Sequence, residues 1–109
     1  MKVVNRIKDS KDFATTIKKG KTVKNQSFVL HFANSEINHT RVGISVSKKI
    51  GNAVTRNYYK RIIRNICDKS KNLYSKRKDY IIIMRKGLTI LSYNDAYQSM
   101  KSLLEKINN

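Results

Sequence analysis

Residues 45–64 read SVSKKIGNAVTRNYYKRIIR, and within this segment the periodicity changes from that of a strand to that of a helix. Val42, Ile44 and Val46 alternate with polar or small residues, as in a strand that buries one side. From residue 52 to about residue 69 the apolar residues recur at helical spacing, and Asn52 is a good N-cap residue. The segment therefore predicts a strand, a turn and a helix, with Gly51 taking the positive φ that such a turn can require.

The predicted helix has one basic face and one apolar face. At about 100° per residue, the two groups occupy separate arcs. The basic and polar residues are Arg56, Asn57, Lys60, Arg61 and Arg64, and the apolar and aromatic residues are Tyr58, Tyr59, Ile62, Ile63 and Ile66. The helix carries a single acid, Asp68, whereas ordinary exposed helix faces mix both signs. Unopposed cations at helical spacing repel each other, so a polyanionic partner is expected to compensate them.

The rest of the chain predicts a small α+β domain covering residues 1–109. A first helix at about residues 11–19 carries Phe13 and Ile17 on one face. In the strand that follows, Phe28, Leu30 and Phe32 alternate with Val29, His31 and Ala33, so that the two sets point to opposite faces. A further short strand at residues 21–24 is possible, and residues 34–40 form a polar loop that predicts a hairpin.

The last two elements are a strand and a helix. Residues 80–84 read YIIIM, apolar on both faces, and are expected to form a central strand. Ser92 and Asp95 have capping-box spacing at the start of the final helix. The predicted order is therefore α-β-β-α-β-α, a sheet with helices.

The charge of the chain limits the class of partner. Lys and Arg total 24 against 7 Asp and Glu, which gives a formal charge of +17. A nucleic acid is the expected partner, with an anionic membrane surface as the weaker alternative. No apolar run has the length of a membrane span or a signal peptide, and the single Cys67 excludes an internal disulfide, so a cytoplasmic protein is expected.

The sequence offers no candidate catalytic residues. Its two histidines, His31 and His39, are not accompanied by a Cys, Asp or Glu cluster with nuclease or metal-ligand spacing, and no glycine-rich phosphate loop is present. We therefore expect no metal site in the protein and no catalysis by the polypeptide alone.

The segment from Ser47 to Arg64 resembles the signature of the bacterial ribonuclease P protein family. The shared pattern is Ser-Lys-Lys-x-Gly-Asn-Ala-Val-x-Arg-Asn followed by Lys-Arg-x-x-Arg. The resemblance extends over nearly the whole chain, including residues 6–8, 12–13, 28–30, 41–47 and 79–83.

This resemblance implies a fold, a partner and a set of binding residues. The fold would be of the ribosomal protein S5 domain 2-like type, with an unusual left-handed βαβ crossover. The protein would be the subunit of a ribonucleoprotein that removes the 5′ leader of precursor tRNA, with the Mg²⁺-dependent chemistry carried by a large RNA. One protein molecule would bind that catalytic RNA, and also the leader. The RNA-binding residues would be Lys48, Lys49, Asn52, Arg56, Asn57, Lys60, Arg61 and Arg64; the leader cleft would be lined by Phe13, Ile17, Val29 and His31.

Three positions depart from the family pattern. Tyr58 stands where the family usually has an arginine, and the helical projection favours packing at the core boundary over stacking on a base. His31 replaces a common aromatic residue, and its protonation could make leader binding depend on pH near neutrality. Ile17 replaces a frequent phenylalanine, which keeps the cleft apolar but weakens stacking.

Two other classes of function are compatible with a small basic chain. One is a structural ribosomal protein, which composition alone does not distinguish from a ribonuclease P protein. The other is a membrane-active basic peptide, against which the Ile-rich central strand and the one-domain pattern argue.

Overall fold

A computed structural model describes residues 5–7, 10–34, 40–74 and 78–108. His39, Lys8 and most of the predicted hairpin loop lie outside the described residues. The strands are β1 (Asn5–Arg6), β2 (Lys21–Lys24), β3 (Phe28–Asn34), β4 (Arg41–Ser45) and β5 (Lys78–Met84), and the helices are α1 (Ser10–Lys19), α2 (Ala53–Lys69) and α3 (Tyr93–Asn108). Short 3₁₀ turns at Lys71–Leu73 and Lys86–Ile90 precede β5 and α3.

The strands form one mixed sheet in the order β1-β4-β5-β3-β2. The prediction of β5 as a central strand is confirmed: it pairs antiparallel with β3 and parallel with β4. The hairpin predicted between β3 and β4 is wrong, because β5 lies between these two strands. Neighbours in sequence often pair in a sheet, but here the strand that is apolar on both faces takes the central position instead.

The edges of the sheet add two short strands. The possible strand at Lys21–Lys24 is confirmed as β2, which pairs antiparallel with β3. The two-residue β1 was not predicted; it pairs parallel with β4, with Asn5 opposite Arg41. Two residues are too short for a periodicity signal.

The parallel strands β4 and β5 are connected by α2, and this βαβ unit determines where the basic helix lies. The left-handed crossover implied by the resemblance stays a prediction. Ile63, Ile66 and Cys67 of α2 pack with α3 against one face of the sheet. The strand residues that face them include Phe28, Leu30, Val42, Tyr80 and Ile82, all buried. The alternation predicted for β3 and β4 thus places their apolar sets in this core.

Helix α1 packs on the opposite face of the sheet, so the domain has three layers. Gly43 faces α1 so closely that an added Cβ would lie 2.5 Å from the Phe13 ring. At the end of α1, a Cβ on Gly20 would lie 2.4 Å from the carbonyl oxygen of Phe32 and 2.5 Å from that of Thr16. Both glycines therefore permit the close approach of α1 to the sheet.

The predicted helix caps at Asn52 and Ser92 are confirmed. The Asn52 side-chain oxygen accepts a hydrogen bond from the Thr55 amide at 3.0 Å, and the Ser92 hydroxyl accepts one from the Asp95 amide at 3.1 Å. The expected role of Gly51 is wrong, because this residue does not adopt a positive φ. An added Cβ would instead lie 2.9 Å from the Thr55 methyl group, so the lack of a side chain gives room to the first turn of α2.

No helix within the described ranges combines the length and the apolar character that a membrane span requires.

Candidate nucleic-acid interface

The basic segment, residues 48–64, begins in a turn that connects β4 to α2. Ser47 holds this turn: its hydroxyl accepts a hydrogen bond from the Lys49 amide at 3.0 Å, and its carbonyl accepts one from the Ile50 amide at 3.0 Å. Lys48 and Lys49 are exposed. Their ammonium groups are therefore presented to solvent from a defined turn.

Three cations of α2 form a row that we call the cation row: Arg56, Lys60 and Arg64. These residues are four apart and half-buried, whereas Asn57 and Arg61 are exposed. The Nε atoms of Arg56 and Arg64 are shielded from solvent and have no hydrogen-bond acceptor among the described residues. Within the described part of the chain, no member of the row lies within 4.0 Å of a carboxylate. The row therefore has positive charge without an internal counterion.

The N-terminus of α2 adds to this positive potential. Its first turn contains no acidic residue, so the helix dipole is not compensated there. Asn52, predicted to bind RNA, uses its side-chain oxygen to cap the helix. Its first contribution is therefore to fix the start of the helix that carries the cation row.

The sheet face that α1 packs on is only partly covered. Ala33 and Ile81 are buried on that face, whereas Val29, His31, Ser45 and Ile83 are half-buried; we call these last four the open sheet face. They are neighbours, because Val29 pairs with Ile83, His31 with Ile81 and Ser45 with Ile83. The prediction that Val29 and His31 share a face is confirmed by this register.

Helix α1 borders the open sheet face with one half-buried and one exposed apolar residue. Phe13 is half-buried against Gly43, while Ile17, one turn later, is 41% exposed. The structure thus brings Phe13 to the sheet beside the open face. Ile17 contributes an exposed apolar surface rather than a buried one.

His31 is held by β2 and is harder to protonate than a free histidine. Its Nδ1 lies 2.8 Å from the Thr22 hydroxyl, in a hydrogen bond whose direction depends on the ring tautomer. Desolvation by burial lowers the pKa of His31 below its ordinary value of 6.5. The ring is therefore neutral at pH 7. Any effect of His31 protonation on leader binding is expected below pH 6.5 instead of near neutrality.

The open sheet face and the basic segment are adjacent because a short stretch of chain connects them. Ser45 is on the open face, and Lys48 follows three residues later, which limits their Cα separation to about 11 Å. A single extended strand of RNA could therefore contact both surfaces.

Two residues of β2 were missed as candidates. Thr22 pairs with His31 and Lys24 with Val29, which places both beside the open sheet face. The weak alternation of residues 21–24 was the only sequence signal for this placement.

Tyr58 contradicts the expectation of packing at the core boundary. It is 55% exposed, and its ring meets Tyr59 edge to face at a centroid distance of 5.2 Å. The helical projection gives the direction of Tyr58 but not how closely the neighbouring segment packs against it.

The described residues contain no group of three or more His, Cys, Asp or Glu side chains placed to hold a metal ion. Cys67 is fully buried, and desolvation raises the pKa of its thiol to about 12, so it stays protonated at neutral pH. A buried, protonated thiol of this kind is chemically inert.

Comparison with known proteins gives one consistent family. Residues 1–108 match the sequence model described as Ribonuclease P. The ribonuclease P protein component of Streptococcus pyogenes is 43% identical over 96% of this chain and 87% of that protein. That of Streptococcus pneumoniae is 41% identical over 96% of this chain and 85% of its own length.

Solved structures agree with the sequence comparison. The ribonuclease P protein of Staphylococcus aureus superposes with a TM-score of 0.86 at 40% identity, covering 95% of both chains. That of Thermotoga maritima gives a TM-score of 0.85 at 30% identity, covering 94% of this chain and 96% of the other. Sequence and fold together therefore establish that this chain belongs to the ribonuclease P protein family.

Proposed function

We propose that this protein binds both the catalytic RNA of ribonuclease P and the 5′ leader of precursor tRNA, and so assists removal of the leader. The observation that carries the proposal is the continuity of two surfaces, the open sheet face and the basic segment. One offers apolar and aromatic groups of the kind that stack on unpaired bases, and the other offers cations without internal counterions.

The cation row would bind phosphate groups. Arg56, Lys60 and Arg64 supply charge-assisted donors, and the half-buried position of their side chains limits the freedom that binding must remove. The uncompensated N-terminus of α2 adds backbone amides with positive potential. The phosphates of the catalytic RNA and of the leader near the cleavage site both suit this surface.

The open sheet face would hold the leader. Val29, Ile83 and Phe13 provide apolar contacts, and the neutral ring of His31 can stack on a base without a charge to desolvate. Thr22 fixes the ring of His31. Val29 and Ile83 offer no hydrogen-bonding side-chain groups, and the Thr22 hydroxyl is already paired with His31, so stacking would dominate over recognition of particular bases.

The Mg²⁺ required for phosphodiester hydrolysis would be held by the RNA subunit. The described residues offer no cluster of carboxylates for it. The role of the protein would be to neutralise charge where catalytic RNA and leader approach each other, which lowers the concentration of Mg²⁺ that their association needs.

A reconstitution experiment tests the proposal. The purified protein is added to a cognate ribonuclease P RNA and a precursor tRNA at a Mg²⁺ concentration that limits the RNA alone. We expect faster leader cleavage with the protein and no cleavage by the protein alone. Lys60→Ala should stimulate less than Lys106→Ala, which removes an exposed lysine of α3 instead. No stimulation by the wild-type protein would contradict the proposal.

A further inference from the structure

A small aromatic pocket lies on the side of α2 away from the cation row. It has a volume of about 150 Å³ and lies between α2 and the segment that leads into α3. Its walls include Tyr58, Tyr59 and Tyr93, together with Ile62 and Leu91. Neither the leader cleft nor the cation row uses these residues.

The pocket has a buried apolar floor and an exposed aromatic rim. Leu88 and Ala96, which line it, are buried, whereas Tyr58 is 55% exposed and Tyr93 is 41% exposed. The Tyr58 ring is restrained by its edge-to-face contact with Tyr59, at an interplanar angle of 73°. Two tyrosine rings are therefore held at the opening with much of their surface in water, where a flat apolar ligand could cover them.

The charges around the rim favour an anionic partner. The Lys69 ammonium lies 5.5 Å from the centroid of Tyr93 and 5.3 Å from that of Tyr97. Arg61, exposed on α2, is three residues after Tyr58 and so lies on the adjacent turn. Asp95, exposed in the first turn of α3, is the nearest acid in sequence to the pocket wall.

We propose that this pocket binds an unstacked nucleobase of the RNA whose phosphates lie along α2. The inference rests on the proposed function and adds a base contact to it. Aromatic rings beside cations are the combination that binds single-stranded RNA, with the base on the ring and the phosphate on the cation. Tyr58 would thus add a base contact beside the phosphate contacts of the cation row.

The absence of tryptophan from the chain permits a local test. In Tyr58→Trp the new side chain is the only tryptophan, and stacking on a base should quench its fluorescence. The probes are an oligoadenylate and an abasic oligonucleotide of the same length, which carries the same phosphates without bases. We expect quenching by the oligoadenylate and little by the abasic strand. Gln98→Trp, at an exposed position of α3 outside the pocket, is the matched control and should respond to neither.

Affinities give a second readout that does not depend on the reporter. Tyr58→Ala should reduce oligoadenylate binding about 5- to 150-fold, the range for loss of one base–aromatic stack, and leave abasic binding unchanged. Tyr58→Phe should keep most of the wild-type affinity, because it retains the ring. Circular dichroism of each variant verifies that the fold is unchanged.

The results for Tyr58→Ala and Lys60→Ala distinguish a failure of this inference from a failure of the proposed function. If Tyr58→Ala binds both strands as the wild type does while Lys60→Ala weakens both, the pocket does not bind a base and the cation row stands. If Lys60→Ala changes neither, the cation row itself is refuted. If Tyr58→Ala alters only self-association in light scattering, the pocket contacts a second protein molecule and the inference is wrong.

Discussion

His31 shows how partial burial changes the pH range in which a residue can be protonated. Desolvation by burial lowers its pKa below 6.5, so the folded protein resists a protonation that the unfolded chain accepts. The contribution of His31 to stability is therefore intact above about pH 6.5 and is lost as the pH falls from there through the folded pKa.

We expect the free energy of unfolding to change little between about pH 7 and 8 and to fall below about pH 6.5, in part through His31. His31→Phe, which keeps a ring but does not titrate, should reduce the acid sensitivity. Urea unfolding of the wild type and of His31→Phe across this pH range measures the two free energies of unfolding. An identical pH profile for the variant would show that His31 is not responsible.

At the scale of the element, the packing of α1 on the sheet depends on glycines. Because an added Cβ at Gly20 would contact backbone carbonyl oxygens, relief requires a shift of α1 or β3. Gly20→Ala should therefore cost about 1–3 kcal/mol of stability, as other overpacked positions do. Thr15→Ala, at an exposed site of α1, should cost less than about 0.5 kcal/mol. Equal stability of Gly20→Ala and wild type in denaturant unfolding would contradict the close contact of α1 with β3.

The pairing of β4 with β5 is reinforced by an ion pair. Arg41 donates from Nε to Asp79 Oδ1 at 2.9 Å and from Nη2 to Oδ2 at 2.7 Å, with side chains only 18% and 8% exposed. These residues are opposite each other in the register.

Asp79→Asn should destabilise the protein by about 1–3 kcal/mol, because it replaces the carboxylate of a largely buried, two-point ion pair by a neutral amide. Glu105→Gln, which removes an exposed acid of α3, is the control and should have a much smaller effect. Thermal unfolding compares the two variants. A larger effect of Glu105→Gln would show that net charge matters more than the pair.

At the scale of the whole molecule, the formal charge of +17 opposes folding. An anion that binds the folded protein should therefore stabilise it by mass action. We expect helical circular dichroism or melting temperature to rise with sulfate more than with chloride at equal ionic strength. Full helix content in dilute buffer, unchanged by sulfate, would contradict this.

The parts of the fold that the sequence predicts are those with a local signal. Asn52 and Ser92 predict their caps, and the apolar run of β5 predicts its central place. The predicted hairpin is wrong because pairing of β3 and β4 with β5 depends on contacts distant in the chain. Alternation puts Val29 and His31 on one face, but only the position of α1 leaves that face open. The environment of Tyr58 likewise depends on a part of the chain distant in sequence, because the segment before α3 forms the opposite wall of its pocket.

The central claim is that the cation row binds RNA phosphates, and the salt dependence of RNA binding tests it most directly. Arg56→Ala, Lys60→Ala and Lys106→Ala each remove one positive charge. Differences in salt dependence among these variants therefore reflect where the charge lies on the protein and not the change in net charge. We expect the slope of log K against log salt to decrease by about 0.7–0.9 for Arg56→Ala and for Lys60→Ala, and to be nearly unchanged for Lys106→Ala. Equal slopes for all three variants and the wild type would contradict the claim.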